Sequence, residues 1–417
     1  MMTSPHANPN GIETKIIAAR SEAQALYNEL EKVKNRLHDS TLDEISYSIP
    51  GIPKNFNNLK LYNTLRGHNN KIAKTQWSSD SSKLLSASQD GYMILWDAVT
   101  GFKKQAINLE NQWVLTCSYS SDGKLAASAG LDNACTIYKV KQDGDFRFGG
   151  TRGEARKGSA TGNDLDISPV QSVFKGHTAY VSDCGFITNT TIITASGDMT
   201  CSLWDITKGV KSRDFVEHLG DVLCMSIFPS NKLNDNLFVS GSSDGSAKIW
   251  DLRSPTPASS FFVSNSDINT VSIFPNGNSF ATGSDDGLIR LFDIRADCEL
   301  SNYSLLSQFQ KQNHKIPKAK IPSRRHSTTD QVSTGSISIY SSIDNPGVFS
   351  LDFSNSGRLL YACYSEFGCL VWDVLKNEIV GSVGNDHVNK INHISVSPDG
   401  TAVATSSWDS TIKIWSV

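Results

Sequence analysis

The chain has 417 residues, with 39 Lys and Arg against 42 Asp and Glu and a formal net charge of −3. That balance argues against a nucleic-acid binder that works through a strongly basic face, and no apolar run reaches the roughly 20 residues a membrane helix needs. Eight cysteines are scattered without CxxC spacing, so buried reduced thiols are expected rather than a metal site or a disulfide framework, and no cofactor is expected.

Residues 1–11 are polar, lack the order of a signal peptide and read as a disordered N-terminus. Residues 12–38 carry a different pattern. Ile16, Ala19, Ala23, Leu26, Leu30, Val33 and Leu37 alternate three and four apart, the a/d seam of a coiled coil. Glu29–Lys32 and Glu31–Lys34 can pair along the exposed faces. Such a helix could fold onto its own globular body, but that arrangement uses a wider apolar stripe. The narrow seam favours a second helix as its partner. Residues 39–55 read as a linker with a short helix.

From residue 56 to the end the chain repeats itself. One unit runs Gly67-His68, then Lys83 to Ser88, then Gln89-Asp90-Gly91, then Met93-Ile94-Leu95-Trp96-Asp97. A β run, an Asp-Gly turn and a second β run make a hairpin signal. The ending recurs at Trp204-Asp205, Trp250-Asp251, Phe292-Asp293, Trp372-Asp373 and Ile414-Trp415, with a degenerate copy at Ile137-Tyr138. That makes seven units. Starts recur at Gly176-His177, Glu217-His218 and Asp386-His387. A period of roughly forty residues with these marks is the WD40 signature, so the fold expected is all-β, a seven-bladed WD40 propeller behind an N-terminal coiled-coil helix. Stacking four-stranded blades in a ring covers faces that one blade alone leaves open.

Within a blade the His, a Ser or Thr, the turn Asp and the Trp are expected to form a buried hydrogen-bonded set. The candidates are His68, Ser86, Asp90 and Trp96; His177, Asp198 and Trp204; His218, Asp244 and Trp250; and His387, Thr405, Asp409 and Trp415. Buried polar groups must be paired, and this set pairs them; a Ser/His/Asp combination here is no hydrolase triad. The last unit stops at its third strand, so Asn58 to Leu65 is expected to supply the fourth and close the ring. Two connections, 143–168 and 308–344, are too long for a blade and read as flexible surface loops. In the second, Ser323-Arg324-Arg325-His326 precedes Ser327, Thr328 and Thr329, a pattern a basophilic kinase could use and a solvated linker would also show.

A heptad helix joined to seven such blades resembles the β subunit of heterotrimeric G proteins. The local sequence agrees at Leu65-Arg66-Gly67-His68, Gly130-Leu131-Asp132-Asn133, Asp267-Ile268-Asn269, Phe274-Pro275-Asn276-Gly277-Asn278 and Ser406-Ser407-Trp408-Asp409-Ser410. Gly67-His68-Asn69-Asn70-Lys71-Ile72 and His218-Leu219-Gly220-Asp221-Val222-Leu223 are most similar to the fungal mating-pheromone branch. The resemblance implies a non-enzymatic signalling module with an obligate, lipidated γ subunit gripped by the seam residues. It also implies GDP-bound Gα on one rim of the ring, a receptor reached through the heterotrimer, and downstream kinases or scaffold proteins as effectors. The C-terminus, Ile414-Trp415-Ser416-Val417, carries no prenylation box, so any membrane attachment is expected to come from a partner; the resemblance implies the cytoplasmic face of the plasma membrane, with a cytosolic pool.

The family's Gα and effector contacts carry over to Lys71, Gln89, Ile94, Trp113, Leu115, Leu131, Asn133, Tyr180, Asp221, Leu223, Asp267, Asn269, Asp285, Lys390 and Trp408. Trp113 and Trp408 could instead be ordinary blade aromatics. Animal members typically carry Leu and Tyr where this chain has Asn69 and Ala73, Met at Leu115 and Leu223, Cys at Ser243, Asp at Ser365 and Arg at Lys390. These departures bear on which Gα is bound more than on how. The other reading of the chain is a WD-repeat scaffold or substrate receptor outside G-protein signalling, which needs neither the seam nor the rim residues.

Overall fold

The computed structural model describes residues 18–29, 32, 42–53, 59–141, 170–229, 236–311 and 346–416. Seven four-stranded antiparallel sheets form the blades of a propeller. Blade 1 consists of Ile72–Trp77, Lys83–Ser88, Tyr92–Asp97 and Lys103–Asn108, from the axis outward. The inner strands of blades 2 to 7 are Val114–Tyr119, Val181–Thr188, Val222–Ile227, Ile268–Ile273, Val348–Phe353 and Ile391–Val396.

Blade 7 is completed from the other end of the described chain. Lys60–Arg66 pairs antiparallel with Thr411–Ser416, with a bulge between Leu61 and Asn63. The strand begins two residues later than expected and ends on Arg66, just before Gly67; Asn58 lies outside the described residues.

The core sits between blades. A Trp-Asp tryptophan packs against the outer strand of the preceding blade: Phe174 on Trp204 at 5.1 Å, Phe215 on Trp250 at 5.5 Å, Tyr303 on Trp372 at 5.6 Å between ring centroids. Trp96, Trp250 and Trp372 are fully buried. A side chain of this size contributes several kcal/mol by burial, on the order of 3, and it does so only when the neighbouring blade is present. The cysteines are all free and buried, except Cys298, which is partly exposed.

Residues 18–29 are helical and Ala19, Ala23 and Leu26 on that helix are exposed, Leu26 by 61%. Ile16, Leu30, Val33 and Leu37 lie outside the described residues, as do insert 143–168 and Ser327, Thr328 and Thr329. A short helix, Leu42–Ser48, follows. Leu42 packs against the core between blades 5 and 6, and the backbone carbonyls of Ser46 and Pro50 accept hydrogen bonds from Lys376 and Arg358 of blade 6.

The second insert does not begin as a loop. Leu305–Lys311 is a helix, Leu305 is buried in the core of blades 5 and 6, and Gln308 is buried with its amide donating to the Asn377 carbonyl. The Ser- and Gln-rich composition hid two anchoring contacts, one apolar and one polar.

Candidate partner-binding rim

The turns that make the rim are held from inside the blades. In blade 4, His218 Nδ1 donates to Asp244 at 3.0 Å, and Ser240 Oγ lies 2.7 Å from His218 Nε2 while accepting the Trp250 indole N–H at 2.8 Å. Burial works against the Asp244 charge. Hydrogen bonds from Ser246, the Leu219 N–H and His218 outweigh it and hold the carboxyl down to about 2. Burial also lowers His218 below the usual histidine range, so the imidazole is neutral and its second nitrogen accepts the serine hydroxyl. The same set closes in blade 1 through His68, Ser86, Asp90 and Trp96, in blade 3 through His177, Thr194, Asp198 and Trp204, and in blade 7 through His387, Thr405, Asp409 and Trp415. With every acceptor engaged and the histidines buried, these sets fix turns and have no room for a substrate.

The fixed turns give the ring a sevenfold register. In each blade the N–H of the first turn residue after the second strand donates to the carbonyl just before the inner strand. The pairs are Gln89 to Lys71, Leu131 to Trp113, Gly197 to Tyr180, Ser243 to Asp221, Asp285 to Asp267, Ser365 to Gly347 and Trp408 to Lys390, all between 2.9 and 3.1 Å. Ten predicted contact residues therefore occupy equivalent positions on one face: Lys71, Gln89, Trp113, Leu131, Tyr180, Asp221, Asp267, Asp285, Lys390 and Trp408. Asn133 stands in the blade 2 turn on the same side, its amide donating to the Thr178 carbonyl at 3.3 Å.

Leu115, Leu223 and Asn269 are one step further in. Each is the second residue of its inner strand, and together with Phe349 they line the mouth of a central channel of about 310 Å³. Below them Lys74 reaches Asp183 at 2.5 Å, and Thr116 donates to the same carboxylate at 2.7 Å. Burial, reinforced by Lys74, pushes His393 down to about 3. Asp352 lies among backbone N–H donors, and burial raises it to about 7.

Ile94 does not join the rim. It is 3% exposed, inside the third strand of blade 1 and packed with Leu65, Ile72 and Trp96. Its assignment as a contact residue is corrected: a side chain closed off by its own blade and its neighbour offers no surface.

The rim is chemically divided. Trp113 and Leu131 are 60% and 51% exposed, and the Lys71 ammonium lies 3.8 Å from the centroid of the Trp408 ring. Blades 4 and 5 carry Asp221, Asp267 and Asp285 instead. Tyr180 donates to Asp221 at 2.9 Å; burial and that hydrogen bond raise the phenol to about 12. Exposed aromatics beside fixed charges suit a protein-binding surface. Among the described residues no cluster could hold a metal ion, and no helix is long and apolar enough to cross a membrane.

A family model described as G protein beta WD-40 repeat protein matches residues 14–309. The chain belongs to the G protein β family. A model for the WD domain, G-beta repeat, matches residues 380–416. Over 407 residues the chain is 44% identical to a guanine nucleotide-binding protein subunit beta of Saccharomyces cerevisiae, covering 97% of this chain and 91% of the relative. Over 404 residues it is 41% identical to the corresponding subunit of Dictyostelium discoideum, covering 97% and 99%. The family is one of non-enzymatic signalling scaffolds.

In this Gβ chain the rim also holds residues that motif reading passed over. Leu219 and Val388 follow the blade histidines and are 86% and 78% exposed, with their N–H groups donating to Asp244 and Asp409. Their signal was available: an apolar residue directly after a network histidine. Phe349, 41% exposed, had none: blade 6, like blades 2 and 5, lacks a start histidine, and no carried-over contact falls on its inner strand.

Proposed function

We propose that this chain is the β subunit of a heterotrimeric G protein. It forms an obligate dimer with a lipidated γ subunit through residues 12–38 and binds GDP-bound Gα on the rim. Once released, it carries a receptor signal, a mating-pheromone signal by its similarity to the yeast relative, to downstream kinases or scaffold proteins. The γ lipid and Gα hold it at the cytoplasmic face of the plasma membrane.

The observation that carries this reading is the sevenfold backbone register. It gathers residues that are distant in sequence, from Lys71 to Trp408, onto one face with an aromatic–basic sector and an acidic sector. The exposed Leu26 on helix 18–29 supports the γ-binding part, since an unpartnered apolar seam is a liability in water.

The test is co-expression with γ chains from the same source, followed by titration with the matching Gα. Stable γ capture and much tighter binding of the GDP state than of the GTP-analogue state are expected. Trp113→Ala should weaken Gα binding by at least ~10-fold, the scale of an aromatic hot spot. A monomeric propeller that ignores both partners would favour the scaffold reading instead.

A further inference from the structure

We infer that the outer edge where blade 7 meets blade 1 is a lipid-contacting surface: Tyr62 and Phe102 enter the interface of an anionic membrane while Lys60 and its basic neighbours meet the headgroups. The inference rests on the reading that a lipidated γ subunit brings the chain to a membrane.

The edge is built from the outermost strand of blade 7, Lys60–Arg66, and from the turn and outer strand of blade 1, residues 98–108. The two are joined at Gly101, where a Cβ would stand 2.5 Å from the Asn63 amide nitrogen. The bulge between Leu61 and Asn63 leaves Tyr62 without a cross-strand partner. A bulge re-aims the side chain it carries, and Tyr62 is 58% exposed. In the adjoining turn Phe102 and Val99 are 74% and 64% exposed. Three large side chains are therefore bare to water at one place on the circumference, at the end of the blades away from the rim.

Charge defines the partner. Residues 60–66 and 98–108 include Lys60, Arg66, Lys103 and Lys104 and no Asp or Glu. Lys60, Arg66 and Lys103 are exposed, and Lys104 pairs with Asp97 at 3.5 Å. The corresponding segments of blades 3, 5 and 6 carry Asp214, Asp297, Glu299 and Glu378, which an anionic surface would repel. Blade 4, across the ring, has an exposed Phe262, but its Arg253 is held by Asp251 at 2.6 Å. Aromatic rings beside unopposed basic residues are what anchors a protein at a membrane interface. The edge is also convex, and a fluid headgroup layer can mould to it. One lipid chain alone holds a protein on a bilayer only marginally. This edge supplies a second attachment and leaves the rim free for proteins.

The experiment uses the full chain purified with its lipidated γ partner and sedimented with vesicles of phosphatidylcholine, alone or with about one third phosphatidylserine. The parent should bind the anionic vesicles at least ~10-fold more tightly. Tyr62→Ser combined with Phe102→Ser should lose about 10-fold on anionic vesicles. Lys60→Glu should lose about 10-fold there and nothing on neutral ones. Phe262→Ser should bind as the parent does. A parent held equally by both vesicles, with variants that match it, would overturn this inference and leave the γ-lipid reading standing. A parent that stays off both would remove that reading and this inference with it. Variants that hold to vesicles as the parent does but lose GDP-loaded Gα would make the edge a protein contact and overturn the inference. A second readout covers misfolding: photoactivatable benzoylphenylalanine in place of Phe102 should crosslink to phospholipid on anionic vesicles. Crosslinks confined to protein chains would overturn the inference.

Discussion

Blades 1, 3, 4 and 7 are each held by a complete His–Asp–Ser/Thr–Trp set, whereas blades 2, 5 and 6 form the same four-stranded sheet without it. Blade 5 has Ser264 where the histidine stands elsewhere and Phe292 in place of the tryptophan. Ser264 still reaches Asp286 at 2.8 Å, and Arg290 supplies a further donor to that carboxylate at 2.9 Å. The threonine in the middle is stranded: Thr282 Oγ1 is buried with no partner. In blade 6, Trp372 donates to the Tyr364 hydroxyl at 3.1 Å, a two-membered substitute. The blade fold itself therefore comes from strand pairing and inter-blade packing. The polar set adds local rigidity to the turns that display rim residues.

The sharpest way to break this comparison is to remove the residue at the histidine position in one blade of each kind. His218→Ala removes the buried imidazole that bridges Asp244 and Ser240, at 3.0 and 2.7 Å, and empties the space beside Trp250. A loss of about 3–4 kcal/mol in stability is expected. Ser264→Ala removes one of several donors to Asp286 and should lose about 1 kcal/mol or less. Thermal and urea unfolding of the full-length protein measure both. Equal losses would mean that the histidine sets carry no special share of the stability.

A second pair of variants turns a difference of degree into a difference of sign. Thr405 accepts the Trp415 indole N–H at 2.8 Å and lies 2.9 Å from His387 Nε2. Thr405→Val strands both partners and should destabilise by about 2 kcal/mol. The same substitution at Thr282 replaces a partnerless buried hydroxyl with a methyl group. It should be neutral or stabilise by up to about 1 kcal/mol. A destabilised Thr282→Val would show that the hydroxyl is satisfied in solution and that blade 5 is not an incomplete blade.

The same contrast explains what could be read from the sequence. A complete set needs specific residue types at fixed spacing, so a start His, a turn Asp and a closing Trp announce blades 1, 3, 4 and 7, and the missing fourth strand of the last unit points to the segment before Gly67. The rim residues came from the family resemblance instead, since Trp113, Leu131, Asp267 and Asp285 stand in blades 2 and 5, which lack the complete set. Phe349 was missed because neither a blade motif nor a carried-over contact falls on the inner strand of blade 6. Ile94 was misplaced for another reason: a contact carried over by resemblance says nothing about burial. Asp352 was invisible because a carboxylate set among backbone donors leaves no side-chain pattern in the sequence.

The smallest expected effect concerns the turns themselves. In blades 1 to 5 and 7 the last turn residue adopts a left-handed backbone. Gly91, Gly245 and Gly287 do so at φ of 83°, 74° and 73°, but Asn133, Met199 and Ser410 occupy the same position at 58°, 68° and 65°. Blade 6 shifts the feature one residue later, to Gly368 at 71°. A left-handed L-residue costs about 1–2 kcal/mol. Blade 3 sustains Met199 there because Asp198 ties the turn from both sides, accepting from the Thr178 N–H at 3.0 Å and the Thr200 N–H at 3.1 Å. Met199 is 44% exposed, so its side chain adds little burial. Met199→Gly relieves the backbone and gives back about 0.5–1 kcal/mol in unfolded-chain entropy, for a net gain of about 0.5 kcal/mol. Met199→Ala removes the same side chain without relieving the backbone and should gain nothing. If the two variants melt together, the turn is not strained, and the network in blade 3 is holding a conformation that the chain would adopt without it.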